Sequence, residues 1–365
     1  MRRRIPELDA IRGLAALLVV LYHYTVRYDL KVGFDTAPLF RVPFGHWGVE
    51  AFFLLSGFVI FMTLAKTERG VDFVVSRASR LYPGYWVGAG LTLAAVALFG
   101  APFDGYTLAT SDVLANVTML QRYVPSAVNI DGVYWTLGVE LTFYALIFGL
   151  FLAGQLQRVR TAIVVLLVAA LGLHVATSGG DIGAPLVLRV LRKLTLEHYA
   201  PYFAAGILFY QLREHGPRKG DLGLLGLCLA VACFLHPGPD ALASVVCYLL
   251  FGLLVAGRLH WLATRPLLFL GAISYSLYVV HQNIGYLVIR HTTDLGLETN
   301  LAILAALTVS ALLATAITFW VERPAQRLVR SWFRRERTPR ATLASPVEPQ
   351  PAPSPRVGMT ERASS

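Results

Sequence analysis

Long apolar blocks alternate with short polar, basic or Gly/Pro-containing stretches from the first residues almost to residue 321. A helix needs roughly 20 apolar residues to cross the hydrocarbon layer of a bilayer. Blocks of that kind recur near residues 8–29, 48–65, 84–100, 134–154, 161–177, 199–212, 222–236, 241–257, 267–289 and 300–321. The pattern predicts an all-α polytopic membrane protein of about ten transmembrane helices. Between them, 30–47 and 101–133 form the two longest connections on one side, rich in aromatic, Gly, Pro and Asp residues and able to roof a cleft.

Composition agrees with that reading. Of 365 residues, 56% are hydrophobic and only 15% charged, whereas charged residues make up about a quarter of an average soluble chain. The net charge of +10 would suggest nucleic acid in a soluble protein. Here its placement excludes that, because the basic residues gather in alternate loops. One side collects Arg2 to Arg4, Lys66, Arg69, Arg77, Arg80, Arg158, Arg160, Arg213, Arg218, Lys219, Arg258, Arg265 and the seven arginines from Arg323 to Arg340. The other holds Lys31, Arg41, Arg122, Arg189, Arg192, Lys193 and Arg290, a threefold deficit. Basic loops face the cytoplasm, so both termini are expected there, in an inner-membrane, multi-pass protein. The first apolar block has no small-residue cleavage site after it and is expected to remain as a helix. Residues 1–333 form the membrane domain, and 334–365, rich in Pro, Ser and Arg, are expected to be a disordered cytoplasmic tail. Cys228, Cys233 and Cys247 lie in apolar blocks without metal or redox spacing, so neither a metal nor a disulfide partner is expected.

Ionisable residues inside a membrane are costly, by roughly 2.5–3.5 kcal/mol on insertion scales, and so call for a partner or a task. In "AIRGLAALLVVLYHY", residues 10–24, Arg12 and His23 are eleven positions apart. At 100° per residue this is about 20° beyond three full turns, which puts both on one helix face about 16 Å apart. In "GVEAFFLLSGFVI", Glu50 opens the second block, and Ser56 and Gly57 read as small residues for close helix approach. In "SRASRLYPGYW", Arg77 and Arg80 form a cationic patch beside Tyr82, Tyr85 and Trp86, placed just before the third span on the basic side. Guanidinium forks suit phosphate. In "YWTLGVELTFY", Glu140 lies about two turns into a span, where a carboxylate is protonated, paired or working. "SYSLYVVHQN" adds Ser274, Tyr275, Ser276, Tyr278 and His281, and "WVERPAQRL" closes the last span with Glu322 and Arg323.

These strings, in this order from about residue 5 to residue 330, resemble the membrane-bound acyltransferase-3 family of the O-antigen acetylase type. The most specific element is arginine, ten residues, then histidine in the first helix. Glu50 stands where relatives often have Asp, and "YVVHQN" replaces a common tryptophan, histidine and proline ending. The resemblance implies transfer of an acyl group, usually acetyl, from acetyl-CoA to a hydroxyl of a carbohydrate such as cell-surface polysaccharide or a lipid-linked glycan. It implies Arg12 and His23 as the essential pair, Glu140 as an active-site carboxylate, and Arg77 and Arg80, with Tyr82 beside them, as contacts for coenzyme A. Glu50, Trp135, Tyr275, Ser276 and His281 are candidates for substrate contact. A neutral imidazole at His23 would either take the acceptor's proton or carry the acyl group itself, with Glu140 holding it if the fourth span packs on the first. Two other readings remain: acylation of a secondary metabolite such as a macrolide, and a proton-coupled transporter, whose repeated halves and helices broken at the midplane are not clearly visible in this chain.

Overall fold

The structure, a computed structural model, describes residues 5–177 and 185–335. All but the first two residues of the expected tail lie outside this range, as do Arg2 to Arg4. Among the described residues every regular element is helical. In chain order these are α1 (Pro6–Tyr22), α2 (Tyr28–Lys31), α3 (Gly48–Leu64), α4 (Gly70–Phe99), α5 (Thr110–Val117), α6 (Trp135–Leu152), α7 (Val159–Ala176), α8 (Leu186–Leu194), α9 (Ala200–His215), α10 (Asp221–Leu235), α11 (Pro239–Val255), α12 (Arg265–Val280), α13 (Gln282–Asp294), α14 (Thr299–Ala316) and α15 (Arg323–Arg335). Wide π turns at His23–Arg27 and Ile317–Glu322 join α1 to α2 and α14 to α15.

Among the described residues, six helices are long and apolar enough to cross a membrane. A seventh crossing arises if α12 and α13 count as one, and they meet at a 75° bend. The run at 267–289 is therefore not one straight helix. It breaks at His281, where α12 ends and α13 starts. α10 and α11 are shorter apolar helices, and from Ala200 to Tyr210 α9 is buried on all sides, a core position that composition does not separate from a lipid-facing one.

The third span also differs from its expected bounds. α4 begins at Gly70, so Arg77 and Arg80 lie within a 30-residue helix. The connection at 101–133 folds back along α4 instead of standing clear: Tyr82, Tyr85 and Trp86 donate to the carbonyls of Thr118, Asn116 and Val117 at 3.1, 2.7 and 3.0 Å. Of these, the bond from Tyr85 is buried and gives the Asn116 carbonyl a partner away from water.

Two helix pairs approach most closely, α1 with α12 and α3 with α9, and both do so through glycine. A Cβ on Gly13 would meet the backbone of Gly271 at 2.6 Å, and one on Gly271 would collide with Asp9. Gly57 and Gly206 stand likewise against the backbones of Phe203 and Leu54. Small residues permit such contact where apolar solvent provides no driving force of its own. Gly206→Leu is therefore expected to part α3 from α9 and cost about 1–3 kcal/mol or more, read as a lower thermal midpoint in detergent. An unchanged midpoint would show that this contact is not needed.

Contacts at the helix ends bring the termini of alternate helices together. His260 bonds Glu7, Arg160 pairs with Asp221 at 2.5 Å, and Arg213 donates to the Leu254 carbonyl at 3.2 Å. This is the basic end. At the opposite end His46 meets Asp240 at 3.0 Å and Thr299 bonds Thr36 at 2.9 Å.

Candidate active site

Two cavities meet on α1. The larger, about 600 Å³, lies near the basic end between α1, α3 and α4 and is lined by Ile5, Leu8, Asp9, Val59, Met62, Thr63, Lys66 and Thr67 together with Arg12 and Arg80. The smaller, about 100 Å³, reaches inward and is lined by Val49, Phe52, Phe53, Ser56, Thr136, Leu137, Glu140, Ser274, Tyr275 and Tyr278, again with Arg12 and Arg80. Both guanidiniums thus stand at the junction. Arg12 is only 18% exposed and pairs with Asp9, one turn before it, at 3.3 Å.

Glu140 faces this junction from α6. Ser56 on α3 and Tyr144, one turn further along α6, both donate to its Oε1, the latter at 2.5 Å. Arg77 lies beside the Tyr144 hydroxyl and within electrostatic reach of Glu140. Arg80 acts in the same way on Arg12 and on Glu322. Arg12, Arg77 and Arg80 are balanced here by Asp9, Glu140 and Glu322, and Lys66 on the larger cavity adds a further positive charge, so the cavity wall offers several donors to an anion with several oxygens.

His23 lies at the other end of the α1 column, where the α-helix passes into the π turn. Such turns often mark functional positions. Its Nδ1 is 2.8 Å from the Val19 carbonyl and 3.3 Å from Nε2 of His281, and the two rings meet edge to face at 4.8 Å. Glu140 is therefore not the partner of the imidazole. α6 packs on α3 and α4, which commits the carboxylate to Ser56, Tyr144 and the arginines, and His281 takes the place foreseen for it. The inner cavity ends at Tyr278, whose ring centroid is 5.6 Å from that of His281.

The remaining candidates divide. Tyr275 lines the inner cavity and donates to the Leu81 carbonyl at 2.7 Å. Ser276 is fully buried in a chain from Thr318 to Glu322. Trp135 packs between Phe53 and Tyr199 at 6.4 and 5.4 Å. Glu50 is buried on α3, with Oε2 lacking a hydrogen-bond partner. Tyr82 is spent on Thr118 and is not among the residues lining either cavity. Thr136 and Tyr144 are not among the sequence candidates, Ser56 is expected there only as a small residue for close helix approach, and Lys66 only as a basic loop residue. Only Tyr144 carried a signal, its i+4 spacing from Glu140.

Comparison with known proteins is consistent with this geometry. A family model described as an acyltransferase domain matches residues 5–320. The chain is 28% identical over 302 residues to the exopolysaccharide production protein ExoZ of Rhizobium meliloti, covering 78% of this chain and 90% of that one. It is 29% identical over 179 residues to nodulation protein 10 of Rhizobium leguminosarum bv. viciae, covering 45% and 48%. It is 29% identical over 156 residues to the acyltransferase MdmB of Streptomyces mycarofaciens, covering 39% and 38%. No solved structure matches. The match over residues 5–320, with the arginine and carboxylate cavities it encloses, identifies this membrane protein as a member of the acyltransferase-3 family.

Proposed function

We propose that the protein transfers an acetyl group from acetyl-CoA to a hydroxyl of a carbohydrate, such as surface polysaccharide or a lipid-linked glycan, across the inner membrane. The observation that carries this reading is the pair of cavities joined at Arg12 and Arg80. The basic end faces the cytoplasm by the positive-inside rule, with both termini there. Counting the short α9, α10 and α11 as crossings beside the six long helices and the bent α12–α13 pair gives the ten expected from the sequence. The similarity to a protein named for exopolysaccharide production favours a polysaccharide acceptor.

The coenzyme's phosphates sit in the outer vestibule against Lys66, Arg12 and Arg80, with Arg77 adding positive charge behind them. The pantetheine arm enters the inner cavity and points along α1 toward Tyr278, His281 and His23. The Tyr278 ring turns aside to admit the thioester. At His23 the imidazole takes the acceptor proton as the oxygen attacks the thioester carbon, or forms an acyl-imidazole that is passed on. Glu140 keeps the arginines in place and balances part of their charge.

Acetyl release from labelled acetyl-CoA by the protein in proteoliposomes tests the donor. The glycan O-acetyl content of a deletion strain against its parent tests the acceptor. Arg80→Ala is expected to raise the KM for acetyl-CoA about tenfold or more, a loss of one charge-assisted contact, with kcat less affected. An unchanged KM would leave Arg80 to topology alone.

A further inference from the structure

We propose that His281, together with the Val19 carbonyl, holds His23 in the tautomer protonated on Nδ1 and leaves Nε2 as the reacting atom. The proposal rests on the transfer reaction above and makes His281 a positioning residue.

The proton positions follow from the partners. Nδ1 of His281 lies 2.8 Å from the Tyr278 carbonyl and 3.2 Å from that of Leu277. A carbonyl only accepts, so this nitrogen carries the hydrogen. In the neutral ring, Nε2 of His281 then offers a lone pair, and it faces Nδ1 of His23 at 3.3 Å. That Nδ1 also stands 2.8 Å from the Val19 carbonyl. A hydrogen on Nδ1 of His23 satisfies both neighbours at once, whereas a hydrogen on Nε2 would set two lone pairs and a carbonyl against one another. The arrangement therefore selects one tautomer.

Two breaks in regular helix make the meeting possible. His23 opens the π turn of the first span and His281 sits at the 75° bend between α12 and α13. The His281 carbonyl accepts from the Tyr24 hydroxyl at 2.7 Å and from the Gly285 amide at 2.9 Å, and Tyr24 also meets Ser310 of α14 at 2.7 Å. Three segments thus fix the backbone of the residue whose ring orients His23. The other groups facing His23 are the edge of Tyr22, the Gln282 side chain, and Arg27 and His46 at longer range. None of them is a carboxylate, so the imidazole is oriented without a buried anion.

In the base route, the acceptor's proton moves to Nε2, a C–O bond forms and the C–S bond breaks. The thiolate then leaves with that proton. Throughout, the Nδ1 hydrogen remains bonded to Val19 and His281, so charging and discharging the ring requires no rearrangement.

The test combines kinetics with 15N NMR of histidine-labelled full-length protein. In substrate-free wild type the His23 signals should show a protonated Nδ1 and a bare Nε2. His281→Ala should give mixed tautomers and a kcat lower by about 10- to 100-fold, with the acetyl-CoA KM unchanged. His281→Gln, whose amide oxygen accepts from Nδ1–H, should recover a single tautomer and most of the kcat. A wild-type His23 protonated on Nε2, or a His281→Ala protein keeping one tautomer and full kcat, would overturn the proposal. Because the tautomer is read without substrate, failure of acetyl-CoA as donor would count against the functional reading while leaving this measurement to decide the role of His281.

Discussion

His23→Ala is expected to lower acyl transfer by about 10²–10⁴-fold, the range that a positioned acid–base group supplies, in a protein that still inserts and folds. The ring is half-buried and meets Val19 of its own helix, His281 and the Gln282 side chain, so its loss removes little packing. If the acyl group is carried on the ring, the loss is larger still, since the bond-forming atom itself is removed. Rates measured in proteoliposomes, with folding checked by size-exclusion and thermal midpoint, separate the two effects. Arg12→Ala gives a different profile. It removes a guanidinium from the junction of both cavities, so donor affinity falls together with turnover. A His23→Ala protein with wild-type activity would remove the mechanism, and equal KM values for wild type and Arg12→Ala would remove the binding mode.

The second large effect is at Glu140, where alanine is expected to destabilise the fold by about 3–5 kcal/mol. Removing one partner of a buried charge group leaves the others uncompensated. Here Arg77 would lose its nearby carboxylate, and Arg12 and Arg80 at the junction would keep only Asp9 and Glu322. Ser56 and Tyr144 would also lose the oxygen to which both donate. Glu140→Gln retains that acceptor, so it should recover part of the stability while leaving excess positive charge. A carboxylate acting on the imidazole instead would show full stability and a loss confined to kcat in both variants. The thermal midpoint against kcat in the two proteins distinguishes these outcomes.

How far the site was legible depended on how local its cause was. Arg12 and His23 fall in one column because α1 is regular as far as Tyr22, and that follows from spacing alone. Tyr144 beside Glu140 is legible in the same way. Ser56 reads in the sequence only as a small residue, because its partner Glu140 lies 84 positions away. Tyr82 looked like part of the cationic patch. Which of its neighbours it bonds depended on the 101–133 connection folding back along α4. The single span expected at 267–289 bends at His281, and the polar group His281, Gln282 and Asn283 is the mark it carries there, although polar residues in a span do not by themselves give a change of direction.

Periodicity and charge asymmetry in the chain by themselves determined a helical membrane protein with a basic side and an arginine–histidine face on its first helix. Those properties arise within one helical segment, where backbone geometry repeats every few residues. The tertiary structure alone decided that Glu140 serves the arginines and that His23 meets His281, 258 positions away. Such meetings depend on which faces of separate helices the glycine contacts bring together and on where two helices break, and neither is encoded in any short stretch of residues.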